Sequence, residues 1–181
     1  MSPAGPVIAL LRAVNVGGRT VTSARLKAVA SQLGHTDVAT YANSGNLVVV
    51  PPGPTDVAAE LSTALADEFG FEVPVVARSL EEWTAVVDGL PFTREAVEDP
   101  AHLVACFWDG PVAAGAADVD LSRYGRETVV WARRETYAYY PDGQGRSKLT
   151  IDVLSKASGR VGTARNWNTV LALQKLALER V

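Results

Sequence analysis

Four short segments of the sequence carry polar residues and glycines that simple core packing does not require. In the first, Arg12 ends an apolar run and is followed by Asn15, Gly17 and Gly18. Glycines let backbone N–H groups approach a bound anion, and an arginine can hold an oxyanion through two parallel hydrogen bonds. This spacing predicts an anion-binding turn, although an ordinary turn built from an asparagine and paired glycines explains the same residues.

The second segment lies between two predicted strands and reads Thr-Tyr-Ala-Asn-Ser-Gly-Asn over residues 40–46. Its candidates for ligand contact are Tyr41, Ser44 and Asn46, which place hydrogen-bonding groups at one end of the predicted sheet. The alternative is structural, because Ser44, Gly45 and Asn46 are residue types that supply turn conformations between paired strands.

The third segment, residues 142–148, reads Asp-Gly-Gln-Gly-Arg-Ser-Lys and connects a predicted strand to a predicted helix. Its candidates are Arg146, Ser147 and Lys148, and Ser147 is predicted to cap a helix that ends near Ala157. Unpaired N–H groups and the helix dipole favour an anion at such a start. The segment is not a Walker A loop, since that motif has glycine directly before its lysine. A capped helix with solvated basic residues is the alternative interpretation.

The fourth segment, residues 163–169, reads Thr-Ala-Arg-Asn-Trp-Asn-Thr at the predicted start of the last helix. Its candidates are Arg165, Asn166 and Asn168. Capping accounts for one or two of the polar residues but not for the arginine, and a helix start that carries Arg and Asn suits a carboxylate or phosphate. Trp167 is also explained as a core anchor.

The chain has few cysteines and histidines, which limits the metal sites and thiol chemistry that it can support. The single cysteine, Cys106, lies in an apolar run and is predicted to be a small buried hydrophobe. The two histidines, His35 and His102, are far from each other in sequence, so no zinc-ligand spacing exists. The sequence therefore predicts no metal site, suggests no cofactor and assigns no catalytic residue.

Length and composition are those of an ordinary globular protein. The chain has 181 residues, of which 48% are hydrophobic and 20% charged. No stretch of about 18 apolar residues occurs, so no membrane span is predicted. The first residues lack a charged leader before an apolar segment, which leads us to expect a cytoplasmic protein without a signal peptide.

Apolar periodicity predicts the elements that position these segments. Through residue 78 the pattern reads β-α-β-β-α-β, which is typical of the ferredoxin-like arrangement. A further helix is predicted over residues 79–88, where Ser79 and Glu82 have the spacing of a capping box.

The second part of the chain has a different pattern. A strand at 102–108 and a hairpin of strands at 128–132 and 136–140 precede two helices, which are separated by a break at 159–162. The sequence thus predicts an α+β protein. Its parts are a ferredoxin-like subdomain with the following helix at 1–88, a connector at 89–101, and a smaller α+β subdomain at 102–181 that ends in the two helices.

Taken together, the four segments resemble a bacterial family known as domain of unknown function 1697. The resemblance rests on residues 10–18, 40–46, 145–149 and 163–169, which occur in the family's order and span nearly the whole chain. Family members usually have glycine where this chain has Ala13. The resemblance implies an α+β fold with a ferredoxin-like N-terminal part, and it implies no reaction, substrate or cofactor.

Charge is distributed unevenly along the chain. The net charge is −3. Residues 1–53 have 4 basic and 1 acidic side chains, residues 54–120 have 2 and 14, and residues 144–181 have 7 and 2. The candidate residues of all four segments fall in the two basic regions, 1–53 and 144–181. An acidic exterior around a local positive site disfavours long polyanions more than small anions.

The sequence favours a pocket between the two subdomains that binds a small phosphate- or carboxylate-bearing ligand. Arginine there would stabilise negative charge, but whether a reaction is catalysed is left open. The predicted lining combines residues from three of the segments: Arg12, Asn15, Arg146, Lys148, Arg165 and Asn166.

Two other functions remain open. The ferredoxin-like order is shared with domains that bind single-stranded RNA, but the third strand, residues 47–50, lacks the aromatic side chains that such domains use. Tyr137 and Tyr139 are predicted on one face of a strand and Tyr140 on the other. Nucleic-acid binding is therefore the less favoured alternative to an anion pocket. The third alternative is a structural or interaction module whose apolar last helix packs against a partner or within the chain.

Overall fold

The computed structural model describes residues 4–42 and 45–181 of the chain. The chain divides into two compact units, and each is treated by itself. Met1–Ala85 and Ala172–Val181 form the first unit, and Val86–Leu171 forms the second.

The first unit has a four-stranded sheet with two helices, in the predicted β-α-β-β-α-β order. Neighbouring strands are antiparallel, and their order across the sheet is β2-β3-β1-β4. This confirms the predicted ferredoxin-like part and the α+β class. The elements are β1 (Val7–Leu11), α1 (Ser23–Gln32), β2 (Thr36–Thr40), β3 (Asn46–Val50), α2 (Val57–Phe69) and β4 (Val75–Ser79).

Side-chain caps set the starts of these helices. Thr22 accepts a hydrogen bond from the amide of Arg25 at 3.3 Å, and Asp56 accepts one from the amide of Ala59 at 3.0 Å. Helix α2 ends at Gly70, which adopts the left-handed conformation. The apolar faces of both helices and one face of the sheet form a buried core that includes Ala9, Leu26, Val29, Leu47, Leu61 and Leu65.

The predicted capping box is confirmed at the start of α3 (Leu80–Asp88). The amide of Ser79 donates to the Glu82 carboxylate at 2.9 Å, and the amide of Glu82 donates to the Ser79 hydroxyl at 3.1 Å. The segment expected to be a connector, residues 89–101, contains a short helix, α4 (Thr93–Glu98).

The second unit has a sheet with the same topology as the first. Its strands are ordered β6-β7-β5-β8, again with antiparallel neighbours, so equivalent strands occupy equivalent places in both sheets. Two short 3-10 segments, Ala116–Asp118 and Ser122–Tyr124, occur where the first unit has α1. The elements are β5 (Leu103–Trp108), β6 (Thr128–Trp131), β7 (Glu135–Tyr139), α5 (Ile151–Ser158) and β8 (Gly162–Asn166).

Strand β8 was not predicted and separates the last two helices. Its sequence, Gly-Thr-Ala-Arg-Asn, lacks an apolar period, and it pairs with the fully buried β5 through the backbone. Close approach makes Gly162 necessary, because a Cβ there would lie 2.0 Å from the carbonyl oxygen of Phe107. The final helix, α6, covers Trp167–Leu178.

The prediction that Ser147 caps a helix is wrong. Helix α5 begins at Ile151, and its cap is Thr150, whose hydroxyl accepts from the amide of Val153 at 3.4 Å. The Ser147 hydroxyl instead accepts from the amide of Leu149 at 3.0 Å, ahead of the helix.

Candidate functional site

The predicted site residues are divided between the two units. Ser44 lies outside the described residues. The first unit contains Arg12, Asn15, Gly17, Gly18, Tyr41 and Asn46, and the second contains Arg146, Ser147, Lys148, Arg165, Asn166 and Asn168.

The first two segments meet at one end of the first sheet. The amide of Leu11 donates to the carbonyl of Gly45 at 2.8 Å, and the amide of Arg12 donates to the carbonyl of Pro74 at 2.9 Å. The end of β1 is thereby held between Gly45, just before β3, and Pro74, just before β4. The Arg12 side chain is half-buried there.

Most residues of the first segment that were predicted to contact a ligand form a tight turn. Gly17 and Gly18 have φ values of +58° and +82°, and the amide of Arg19 donates to the carbonyl of Val16 at 3.1 Å. The Asn15 side-chain oxygen accepts from the amide of Val21 at 3.0 Å. These contacts match the structural alternative for this segment.

Asn46 likewise forms hydrogen bonds within its own segment, to Tyr41. Its side chain is buried and donates to the carbonyl of Tyr41 at 3.0 Å, while the amide of Tyr41 donates to the carbonyl of Asn46 at 3.1 Å. The Tyr41 side chain is 37% exposed. Ala42 beside it has a φ of +55°, which is unusual for a residue other than glycine.

The third segment lines a pocket of about 360 Å³ within the second unit. Arg146, Ser147 and Lys148 line it, together with Arg123 and Arg126 from the chain that precedes β6. We call this the cationic pocket. Its volume is within the range of small-molecule sites.

Two carboxylates in the cationic pocket are already engaged by its own side chains. Arg126 Nε donates to Asp142 Oδ2 at 3.2 Å, and a second hydrogen bond joins the same two groups. The Ser147 hydroxyl donates to Glu127 Oε1. The pocket therefore contains four cationic and two anionic side chains, with both anions held in place.

Arg146 and Lys148 are the cations of the pocket that are free to receive a ligand. Both side chains are exposed, and within the described ranges neither forms an ion pair with a carboxylate. Exposed charges attract an anion less strongly than buried ones, so a ligand here is held by several weak contacts rather than one strong contact.

Arg123 is held by its neighbour in sequence. Its guanidinium lies 5.0 Å from the centre of the Tyr124 ring and donates to the Tyr124 hydroxyl at 2.9 Å. This hydrogen bond raises the pKa of Arg123. The contact fixes a positive charge at the edge of the cationic pocket.

The fourth segment lies in β8 and at the start of α6, and its residues are absent from the lining of the cationic pocket. Arg165 is half-buried and donates to the Thr163 hydroxyl at 2.7 Å and the Ala164 carbonyl at 2.8 Å. Burial lowers its pKa to about 10. Asn166 accepts from the amide of Thr169 at 3.0 Å and so caps α6. Asn168 is exposed on that helix.

Trp167 and the strand tyrosines belong to the packing of the second unit. The rings of Trp167 and Tyr137 are 6.5 Å apart, and the Tyr137 hydroxyl donates to the carbonyl of Val86 at 2.7 Å. Tyr140 directly follows β7 and packs with Ala138 in the buried cluster on the opposite face of the sheet, as alternation along the chain predicts. The Tyr139 hydroxyl donates to Asp99. These rings stabilise the fold and are not arranged as an open stacking surface.

Two kinds of feature are missing from the described part of the chain. It contains no group of three or more His, Cys, Asp or Glu side chains placed to hold a metal ion. Nor does it contain a helix of the length and apolar character needed to cross a membrane.

Sequence reasoning missed Arg123 and Arg126. They lie in a region, residues 121–143, with 4 basic and 3 acidic residues, whose small net charge conceals them. The available signal was the local spacing Arg-Tyr-Gly-Arg, in which a glycine follows an aromatic residue between two arginines.

Comparison with known proteins gives a family and a fold. Residues 5–137 match the family model described as "Protein of unknown function (DUF1697)". The chain is similar in structure to conserved bacterial protein SP0830 from Streptococcus pneumoniae, with a TM-score of 0.69 and 21% sequence identity over 95% of this chain and 98% of the other. At that identity the likeness shows the fold alone. No curated protein matches the sequence.

Proposed function

Because the chain belongs to the DUF1697 family, whose function is unknown, we propose a function from the site itself. The cationic pocket of the second unit binds a small anion that carries a phosphate or carboxylate group. The observation that carries this proposal is the presence of Arg146 and Lys148 in a pocket whose two carboxylates are already engaged by Arg126 and Ser147.

The chemistry of the lining suits an oxyanion. Arginine presents a planar set of donors that fits two oxygens of a phosphate or carboxylate, and lysine adds a mobile point charge. Arg123 and Arg126 also line the pocket and add positive potential. The arrangement supports binding and charge stabilisation, and we assign it no reaction.

Titration with inorganic phosphate at low ionic strength tests the proposal. Calorimetry of the full chain should give a dissociation constant that rises about threefold to tenfold in Arg146→Ala and in Lys148→Ala. Added neutral salt should weaken binding to the native protein, since the charges involved are exposed. Glu127→Gln should strengthen binding, because it removes one negative charge from the pocket while keeping an oxygen that can accept from Ser147.

Arg94→Ala is the matched control. Arg94 is an exposed arginine of the same unit, lies outside the pocket and pairs with Glu95 and Glu98. Its loss changes the net charge as much as the loss of Arg146 does. The proposal would be contradicted if Arg94→Ala and Arg146→Ala weakened phosphate binding equally. It would also be contradicted if none of the variants changed the affinity for phosphate.

A further inference from the structure

A second pocket adjoins the cationic pocket and differs from it in character. It has a volume of about 510 Å³ and shares Arg123 and Tyr124 with the cationic pocket. Its other walls include Val119, Leu121 and Val153. We call it the apolar pocket.

The floor of the apolar pocket is continuous with the core of the second unit. Leu121, Tyr124 and Val153 all pack against the buried cluster that contains Cys106 and Leu154, yet each remains partly exposed. Val119 at the edge is 44% exposed. Partly exposed apolar side chains around a concave surface favour a ligand that removes them from water.

The charged groups that line the apolar pocket are all exposed. They are Arg123, Asp152 and Lys156, and the last two are one turn apart on α5. Together the two pockets form a site with positive charge at one end and apolar walls at the other. A free inorganic anion would use only the first end.

We infer that the ligand of this site is an organic anion whose phosphate or carboxylate group lies in the cationic pocket and whose apolar body lies in the apolar pocket. This inference rests on the proposed function, since it requires the charged group to bind at Arg146 and Lys148. The body passes beside Arg123, which lines both pockets and is held against Tyr124. The combined lining suits an aromatic ring or a short aliphatic chain better than a sugar.

The test compares three probes that share a phosphate group: inorganic phosphate, glycerol phosphate and phenyl phosphate. Phenyl phosphate should bind the full chain about tenfold more tightly than the other two, because only its ring removes apolar surface from water. Val119→Asn should abolish this gain while leaving the dissociation constant of inorganic phosphate unchanged. Val119 is exposed enough for the variant to fold, and Val153→Thr provides a second change of the apolar wall.

The outcomes distinguish anion binding in the cationic pocket from binding of an apolar group in the apolar pocket. Equal affinity for the three probes, with binding still weakened by Arg146→Ala, overturns the inference and leaves the proposed function intact. A phenyl phosphate gain that survives both Val119→Asn and Val153→Thr also overturns it. Phosphate binding that is absent, or insensitive to Arg146→Ala and Lys148→Ala, overturns the proposed function and the inference together.

Discussion

Gly45 lies so close to Leu11 that a Cβ atom on Gly45 would be 2.7 Å from the Cβ of Leu11. The glycine has a φ of +70° and its carbonyl accepts a hydrogen bond from the Leu11 amide. The same Cβ would lie 3.0 Å from a methyl group of Val14. Residue 45 and the end of β1 therefore pack this closely only because residue 45 has no side chain.

Gly45→Ala should destabilise the protein by about 2–4 kcal/mol. The cost combines the left-handed conformation, which disfavours alanine, with overpacking against Leu11. Urea unfolding measures the change. Gly53→Ala is the control, since no atom lies within 4 Å of its added Cβ, and it should change stability by less than about 0.5 kcal/mol. Similar losses in the two variants would contradict the packing argument.

Ala13→Gly should stabilise the protein by about 0.5–1 kcal/mol. Ala13 is exposed and has a φ of +55°, a conformation that glycine adopts without steric cost. Ala28→Gly is the matched control, because Ala28 is exposed in the middle of helix α1, where glycine costs about 1 kcal/mol. The two substitutions should shift the urea midpoint in opposite directions. A shift in the same direction would show that the backbone at Ala13 carries no strain.

The elements that sequence predicts well are those with local signals. Strand β1 is a continuous apolar run, α2 starts at Asp56 and ends at a glycine, and Ser79 with Glu82 forms the capping box. Each of these signals lies within a few residues of the element it defines. Strand β8 has no such signal, because it forms by pairing with β5, more than 50 residues away in sequence.

The sequence predicts only those residues of the candidate site that lie in a local motif. Arg146 and Lys148 follow a recognisable glycine-rich turn, whereas Arg126 reaches the pocket from a separate segment and pairs with Asp142 across 16 residues. Which cations of a site are free for a ligand depends on such pairings. Sequence spacing does not specify them, since they form only when distant segments pack together.

Cys106 should be unreactive in the folded protein. It is completely buried in β5, and burial raises the pKa of its thiol to about 12, so almost no thiolate is present near neutral pH. Ellman's reagent should label the native protein only at the rate of unfolding and should label it at once in concentrated urea. Native labelling as fast as that of a free thiol would show that the β5 core opens without global unfolding.

His35 should make stability depend on pH. Its side chain is buried, and Nε2 lies 3.7 Å from a carboxylate oxygen of Glu60. Neither ring nitrogen has a hydrogen-bond partner among the residues that the structure describes. Burial lowers the pKa of His35 below the ordinary value of 6.5, and the charge of Glu60 opposes this only in part. The unfolded chain therefore takes up a proton at a higher pH than the folded chain does.

The sign of the effect follows from this difference in proton uptake. The free energy of unfolding has its full value with respect to His35 above pH 6.5. It decreases as the pH falls from 6.5 toward the lower pKa of the folded state. The slope contributed by this one group is at most about 1.4 kcal/mol per pH unit. In His35→Leu the slope should flatten below about pH 6.5, because no proton is taken up at this site.

Urea unfolding of both proteins across this pH range measures the difference directly. Replacing an unpartnered buried imidazole with an apolar side chain of similar size should also leave stability near neutral pH unchanged or increase it. Glu60→Gln provides an independent check. It removes the charge that favours the protonated ring, so the folded-state pKa of His35 falls further and the loss of stability should extend to lower pH. Parallel pH profiles for the native protein and His35→Leu would mean that the buried ring already takes up its proton in the folded state as readily as in the unfolded chain.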